Sequence, residues 1–302
     1  VYGIVAIHGF ANLMGATILA GVFLLAMGIA RMGQLIRFIP VTVVIGFTNG
    51  IAVVIFLAQI KDFFGLQIDN LPAEFFARIK TLVANAHTVD LPTLALATVC
   101  LIFLLSYNRL AQRFALLRRA PGPLVVLIVG TLVAFVFDLP VETIGSRFNG
   151  IPQELPNFGL PSLSVHDFGK LISPAITIAL LGAIESLLSA RVADSQIDDR
   201  HDPNQELIAQ GLANIAAPLS GGFAATGAIA RTSTNVKTGG RTPIAGIIHA
   251  LVLLAIVLIA APLASYVPLA TLSAIVMVVA VNMGDWHEFL ELRRYSYNYR
   301  II

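Results

Sequence analysis

The chain has 302 residues and a formal charge of +2; 57% of it is hydrophobic and only 12% is charged. An ordinary soluble domain carries about 25% charged residues, so this composition excludes a water-facing globular surface and points to an all-α polytopic membrane protein. A charge of +2 gives no argument for a nucleic-acid partner, and the single Cys100, set in an apolar run, speaks against a disulfide framework or a cysteine metal site.

Crossing the hydrocarbon core takes about 20 helical residues, and apolar runs of roughly that length recur along the chain. In order they are Ala11–Ala30, Phe38–Ile60, Leu91–Tyr107, Gly122–Asp138, Leu171–Ala190, Glu206–Leu219, Pro243–Pro262 and Leu269–Gly284, with further apolar residues before Ala11. The second holds Gly46 and Gly50 in a G-x-x-x-G match, common by chance in membrane helices, and its Asn49 and Gln59 are expected to bond backbone. The chain starts inside an apolar run and stops at Arg300-Ile301-Ile302, so it is expected to be a fragment.

Short loops rich in arginine and lysine lie on the cytoplasmic side. Arg109, Arg113, Arg118 and Arg119 therefore place Asn108–Ala120 inside. Alternation puts Arg31–Arg37 inside, Lys61–Asp90 and Asp138–Lys170 outside, and Arg191–Gln205 inside. The tail, with Arg293, Arg294 and Arg300, is also inside only if the chain crosses once more between Ala217 and Pro243.

The stretch Ser220-Gly221-Gly222-Phe223-Ala224-Ala225-Thr226-Gly227 supplies that crossing as extended chain, being too rich in glycine for a helix. Arg231 to Lys237 then reads as a short helix stopped by Gly239-Gly240. A half-helix starting within the membrane offers free N–H groups and a positive dipole end, which together form an anion site. Arg231 adds a full charge there; no residue from Leu207 to Ala230 is charged, nor any from Thr242 to Gly284 apart from the imidazole of His249. An arginine at the bilayer centre costs roughly 2.5–3.5 kcal/mol, so it calls for a partner, a wet cavity or an anionic ligand. Thr232, Ser233 and Thr234 are hydroxyl donors suited to oxyanions, and one of them is expected to touch ligand. The plainer alternative makes the segment a cytoplasmic loop with Arg231, Lys237 and Arg241 as ordinary positive-inside residues.

Glu185 is the only charged residue between Lys170 and Arg191. A carboxylate at that depth serves as a proton relay or cation ligand in transporters, with Ser186 and Ser189 at neighbouring helical offsets. The alternative is a structural pair with Arg231 that ties two helices together. Gly211 and Asn214 read as residues that permit close helix packing, and His8 and His249 as structural.

An enzyme reading rests on DSQIDDRHD, where Asp194, Asp198, Asp199 and Asp202 resemble the magnesium-diphosphate clusters of membrane prenyltransferases. Such enzymes need two facing clusters, and no second dense cluster occurs, so a solvated cytoplasmic loop explains the run. No G-x-x-x-x-G-K-[ST] appears to support ATP-driven transport.

The runs LGAIESLLSARVADS and NQELIAQGLANIAAPLSGGFAATGAIARTSTNVKTGGRTPIAG strongly resemble the SulP family of anion transporters, the sulfate permeases related to prestin and pendrin. The earlier GIARMGQLIRFIPVTVVIGFTNGIAVVIFLAQI is similar to the family's fourth and fifth segments. This resemblance implies about fourteen membrane segments in two intertwined inverted repeats, divided into a core and a gate domain. Within it the third and tenth segments are each a short strand plus a half-helix. Phe223–Ile229 would be the tenth segment's strand, residues 38–170 mainly gate, residues 171–242 mainly core, and 243–284 further segments. The first segments, the last two and the STAS domain would lie outside this chain.

Residue by residue, Arg231 falls where prestin-like members carry the arginine beside the anion, and Ala230 replaces the serine just before it. Glu185 falls where cyanobacterial bicarbonate transporters carry an aspartate that binds sodium; a single glutamate suits a proton as well. The resemblance implies no enzyme and no cofactor beyond a coupling ion, but a multi-pass cell-membrane transporter that takes a small inorganic or organic anion and assembles as a homodimer. Sulfate with proton coupling is the expectation, with Arg231, Ala230, Thr232 and Ser233 at the substrate and Glu185 at the coupling ion. Sodium coupling, bicarbonate or C4-dicarboxylate symport, and an uncoupled exchanger or channel are the alternatives.

Overall fold

In hydrocarbon a backbone must satisfy its own N–H and C=O groups, and a helix does so within one segment. All eight apolar runs accordingly contain helices in the computed structural model, which describes residues 4–5, 9–34, 41–113, 120–153, 158–159, 168–284 and 286. His8, Arg37, Arg118, Arg119, Arg293, Arg294 and Arg300 lie outside the described residues. The helices are α1 (Phe10–Ile29), α2 (Val41–Phe64), α3 (Phe75–Ala84), α4 (Leu91–Arg113), α5 (Gly122–Val136), α6 (Ile144–Phe148), α7 (Phe168–Ile197), α8 (Pro203–Leu219), α9 (Ile229–Lys237), α10 (Ile244–Ala255), α11 (Ala261–Ala264) and α12 (Leu269–Met283). By length and composition, Phe10–Ile29, Gly169–Ile197 and Ile244–Ala264 are long and apolar enough to span a membrane.

Two differences from the sequence reading have physical causes. The polar run after Ala190 does not begin a loop, because α7 continues to Ile197 and the chain turns only at Asp198, whose φ is +54°. Asp194 then accepts from the His201 ring at 2.7 Å, and Asp202 caps α8 by accepting from Asn204 N–H at 2.8 Å. The aspartate run is thus divided between a loop closure and a helix cap. The expected strand Phe223–Ile229 is also corrected: among the described residues there is no β-strand, and the half-helix starts at Ile229 rather than Arg231. A strand needs a neighbouring ladder, and here a side chain takes that role, as described below. Gly46 and Gly50 face open space, so their spacing seats no helix among the described residues.

The chain divides into two compact units, Val1–Pro40 with Leu155–Leu251, and Val41–Glu154 with Val252–Ile302. The first unit contains α1, α7, α8 and α9. Its core is built from Ala20, Leu24, Ala175, Ala179, Ala183, Leu187 and Leu207. Ala175, Ala179 and Ala183 repeat every four residues and therefore form one small-residue stripe on α7. α1 and α8 approach backbone to backbone: a Cβ built on Gly21 would stand 2.7 Å from the Gly211 carbonyl oxygen, and one on Gly211 would stand 2.7 Å from that of Gly21. Gly211 therefore does permit close packing, as its small size predicts.

The second unit packs Phe63, Leu96, Ala97, Cys100, Val126, Ala134, Ala270, Ala274 and Met277 into its core, with Cys100 only 5% exposed. Gly130 leaves room for Thr271 and Cys100, whose Sγ lies 3.6 Å from Thr271 Oγ1. In the loops Arg147 pairs with Asp62 at 2.6 Å and with Glu142. Burial alone would lower its pKa, but the two carboxylates outweigh that and raise it. After α10 a π-helical turn, Ile256–Ala260, precedes α11. Pro262 has no N–H for the Leu258 carbonyl four residues earlier, and Gln153 Nε2 donates to that oxygen at 3.0 Å instead.

The α1–α8 contact leaves no space for a side chain. Gly211→Leu is expected to lower the unfolding midpoint of the detergent-solubilised protein, with an overpacking cost of about 1–3 kcal/mol; a circular-dichroism melt checks it.

Candidate functional site

Between Gly222 and Ala228 the chain is neither helix nor strand. It enters this stretch through Gly221, at φ +74°, with Gly222 N–H bonded to the Ala217 carbonyl at 2.8 Å. Extended backbone at membrane depth must find hydrogen-bond partners in the surrounding protein. Asn214, 1% exposed on α8, provides them at Ala225. Its Oδ1 accepts from Ala225 N–H at 3.0 Å, and its Nδ2 donates to the Ala225 carbonyl at 2.9 Å and to the Gln210 carbonyl at 3.0 Å. Gln210 Nε2 also donates to the Ala225 carbonyl. One residue on, Thr226 Oγ1 donates to the Gly182 carbonyl of α7 at 3.2 Å. Gly227 lies against α7, where an added Cβ would be 3.3 Å from Ser186 Cα and Oγ and from Ser189 Cβ. Small side chains in this run let it lie flat on α7.

Helix α9 then begins with Ala228 as its N-cap, which supplies no side-chain hydrogen bond. The first bond closing the helix is Thr232 N–H to the Ala228 carbonyl at 2.9 Å. The N–H groups of Ile229, Ala230 and Arg231 precede it and have no acceptor within the helix. Arg231 stands in this first turn, exposed, with no ion pair or hydrogen bond among the described residues. The helix ends at Lys237 and is followed by Gly239 at φ +98°, the stop its glycine pair predicts.

Two hydroxyls of α9 are fastened to α7. Ser189 Oγ donates to Thr232 Oγ1 at 2.8 Å, and Gln196 Nε2 donates to Ser233 Oγ at 2.8 Å. In both bonds the α9 hydroxyl accepts and keeps its own hydrogen to donate. Glu185 sits on α7 one turn before Ser189, half-buried, and carries no hydrogen bond or ion pair among the described residues. The structural pair with Arg231 weighed from the sequence is therefore not formed here.

Asn214 does more than pack: it takes the place of a strand partner. Gln210, Glu206 and Gln196 gave no functional signal in the sequence reading. A usable one existed, since Glu206, Gln210 and Asn214 recur every four residues and so share one face of α8. What the sequence does not contain is the identity of the backbone groups that this polar face meets.

A model of the sulfate permease family matches residues 5–300. A putative sulfate transporter, YvdB, of Bacillus subtilis is 41% identical over 97% of this chain and 54% of its own length. The bicarbonate transporter BicA of a Picosynechococcus strain is 34% identical over 92% of this chain and 48% of its own. The solved transmembrane domain of a cyanobacterial bicarbonate transporter BicA superposes with a TM-score of 0.83 at 30% identity, covering 99% of this chain and 74% of that one. A murine anion transporter, Slc26a9, solved in the inward-facing state, shares the fold at a TM-score of 0.78 and 21% identity, over 97% of this chain and 47% of that one. The chain spans about half the length of the curated relatives it matches.

Asn214→Leu removes the acceptor of Ala225 N–H and one of the two donors to its carbonyl. Loss of a hydrogen bond costs about 0.5–1.5 kcal/mol, so this variant is expected to melt earlier and to show faster amide exchange at Ala225 than Asn214→Gln; hydrogen–deuterium exchange of the segment checks it.

Proposed function

Since the chain belongs to the sulfate permease family, we propose that the protein is a secondary active transporter of small anions, with sulfate as its substrate and the proton as its coupling ion. The observation that carries this reading is the uncapped N-terminus of α9 with the unpaired Arg231 in its first turn. Three backbone N–H groups, the dipole end of the helix and a guanidinium converge on one place, and each favours a negative ligand. Ala230 brings no hydroxyl, which leaves the holding to backbone N–H groups, Arg231 and the donor hydrogens kept by Thr232 and Ser233. The unit bearing this site takes the core role of the resembled fold, and the unit of residues 41–154 and 252–302 takes the gate role.

Glu185 is the coupling group in this reading. Protonated on the outward side, it leaves Arg231 to the anion; after giving its proton to the cytoplasm, its carboxylate competes for Arg231 and disfavours return of the anion. Bicarbonate is the second reading, favoured by the similarity to BicA. One positive charge and a set of donors suit either oxyanion.

The test is uptake of labelled sulfate by proteoliposomes containing the full-length protein, with and without an inward proton gradient and with bicarbonate as competitor. Arg231→Ala is expected to raise KM for the anion about tenfold or more, the scale of one lost charge-assisted contact. Glu185→Gln is expected to keep anion binding but lose stimulation by the gradient. Unchanged KM in the first variant overturns the anion site, and unchanged gradient dependence in the second overturns the coupling role.

A further inference from the structure

Glu206 is a carboxylate that the transport reading leaves unused. It lies in the first turn of α8, where the positive end of the helix tolerates a negative charge. Its Oε1 accepts the hydroxyl hydrogen of Ser186, a side chain of α7 that is wholly buried. Ser186 Oγ also stands 3.3 Å from Gln210 Oε1, and the other end of that amide donates to the Ala225 carbonyl. A serine has one hydrogen to give, and the carboxylate, as the charged acceptor, holds it more strongly than the amide oxygen does. Ser186 is at the same time the surface on which Gly227 rests, so its rotamer and the path of the extended segment depend on one another. The two side chains that border Ser186 oxygen and the segment it supports thus meet at one hydroxyl.

We propose that Glu206 is a positioning residue for the anion site, acting through Ser186 on Gly227, just beyond which the N-terminus of α9 opens. By fixing the Ser186 hydroxyl it keeps that side chain in one rotamer and Gly227 seated on α7. The start of α9 then stands in one place, and its free N–H groups and Arg231 are presented together. Loss of the carboxylate frees the Ser186 side chain to change rotamer, loosens the seat of Gly227 on α7 and spreads the positions of the α9 N-terminus. Affinity for the anion falls as the donors lose their common aim.

This inference rests on the transport reading, and its test separates the two. Labelled sulfate uptake would be measured over a range of concentrations for full-length Glu206→Ala, Glu206→Gln, Ser186→Ala and the double alanine variant, with a thermal melt of each. Glu206→Ala and Ser186→Ala are each expected to raise KM roughly five- to tenfold with Vmax little changed. Glu206→Gln, which still presents an oxygen to Ser186, is expected to restore most of the affinity. The double variant is expected to match either single one, because both remove the same link. Additive effects, an unchanged KM, or equal losses in the alanine and glutamine variants that follow the melting temperature would overturn the proposal. If Glu206→Ala fails to fold, Ser186→Ala and Glu206→Gln decide the matter by the same criteria. An effect of Arg231→Ala without any effect of these variants sinks this inference alone, whereas no effect of Arg231→Ala sinks the reading beneath it.

Discussion

The pairing of the Asn214 amide with both polar groups of Ala225 is the contact on which the site depends. A chain that stops being helical inside hydrocarbon loses its internal hydrogen bonds, and each one left open costs more than a typical bond gains. A primary amide accepts through its oxygen and donates through its nitrogen, so one side chain can pair with both the N–H and the C=O of a single residue. With Gln210 and Thr226 adding two further bonds, the extended run is held against α7 and α8 without any strand beside it. The helix that follows can then begin at a fixed depth with its first N–H groups unspent.

The electrostatics follow from that arrangement. Arg231 and Glu185 are opposite charges on neighbouring helices, yet neither takes the other as a partner. Several carboxylates elsewhere are held in pairs or caps: Asp62 and Glu142 on Arg147, Asp194 on His201, and Asp202 on the start of α8. A cation and a carboxylate left unmatched near each other's elements can respond to a third charged species, which a closed salt bridge does not do.

Much of the fold was legible in the sequence because the membrane imposes a simple code. Length and apolarity alone located all eight runs that form helices. The glycines at 221, 222 and 227 and the stop at Gly239 marked both ends of the break that holds the extended segment and α9. Boundaries were less legible where polarity misled: α7 keeps its helix through Arg191 to Ile197, with Gln196 bonded to Ser233 of α9 and Asp194 to His201 in the turn that follows. The glycine rows show the same limit. Gly21 and Gly211 touch through their backbones while Gly46 and Gly50 face open space among the described residues, and no spacing distinguishes them. Arg231 and Glu185 stood out as isolated charges, but Asn214, Gln210 and Glu206 did not, since their importance lies in backbone groups and hydroxyls that only folding brings to them.

The burial of Cys100 between Thr271 and the core of its unit has a practical outcome. A thiol shielded from both solvent and reagents is silent to maleimide dyes and spin labels, and it is the single cysteine between Val1 and Ile302. Reporter cysteines placed one at a time along residues 222–238 would therefore be read against a dark background, without first stripping this part of the protein of its own sulfur chemistry.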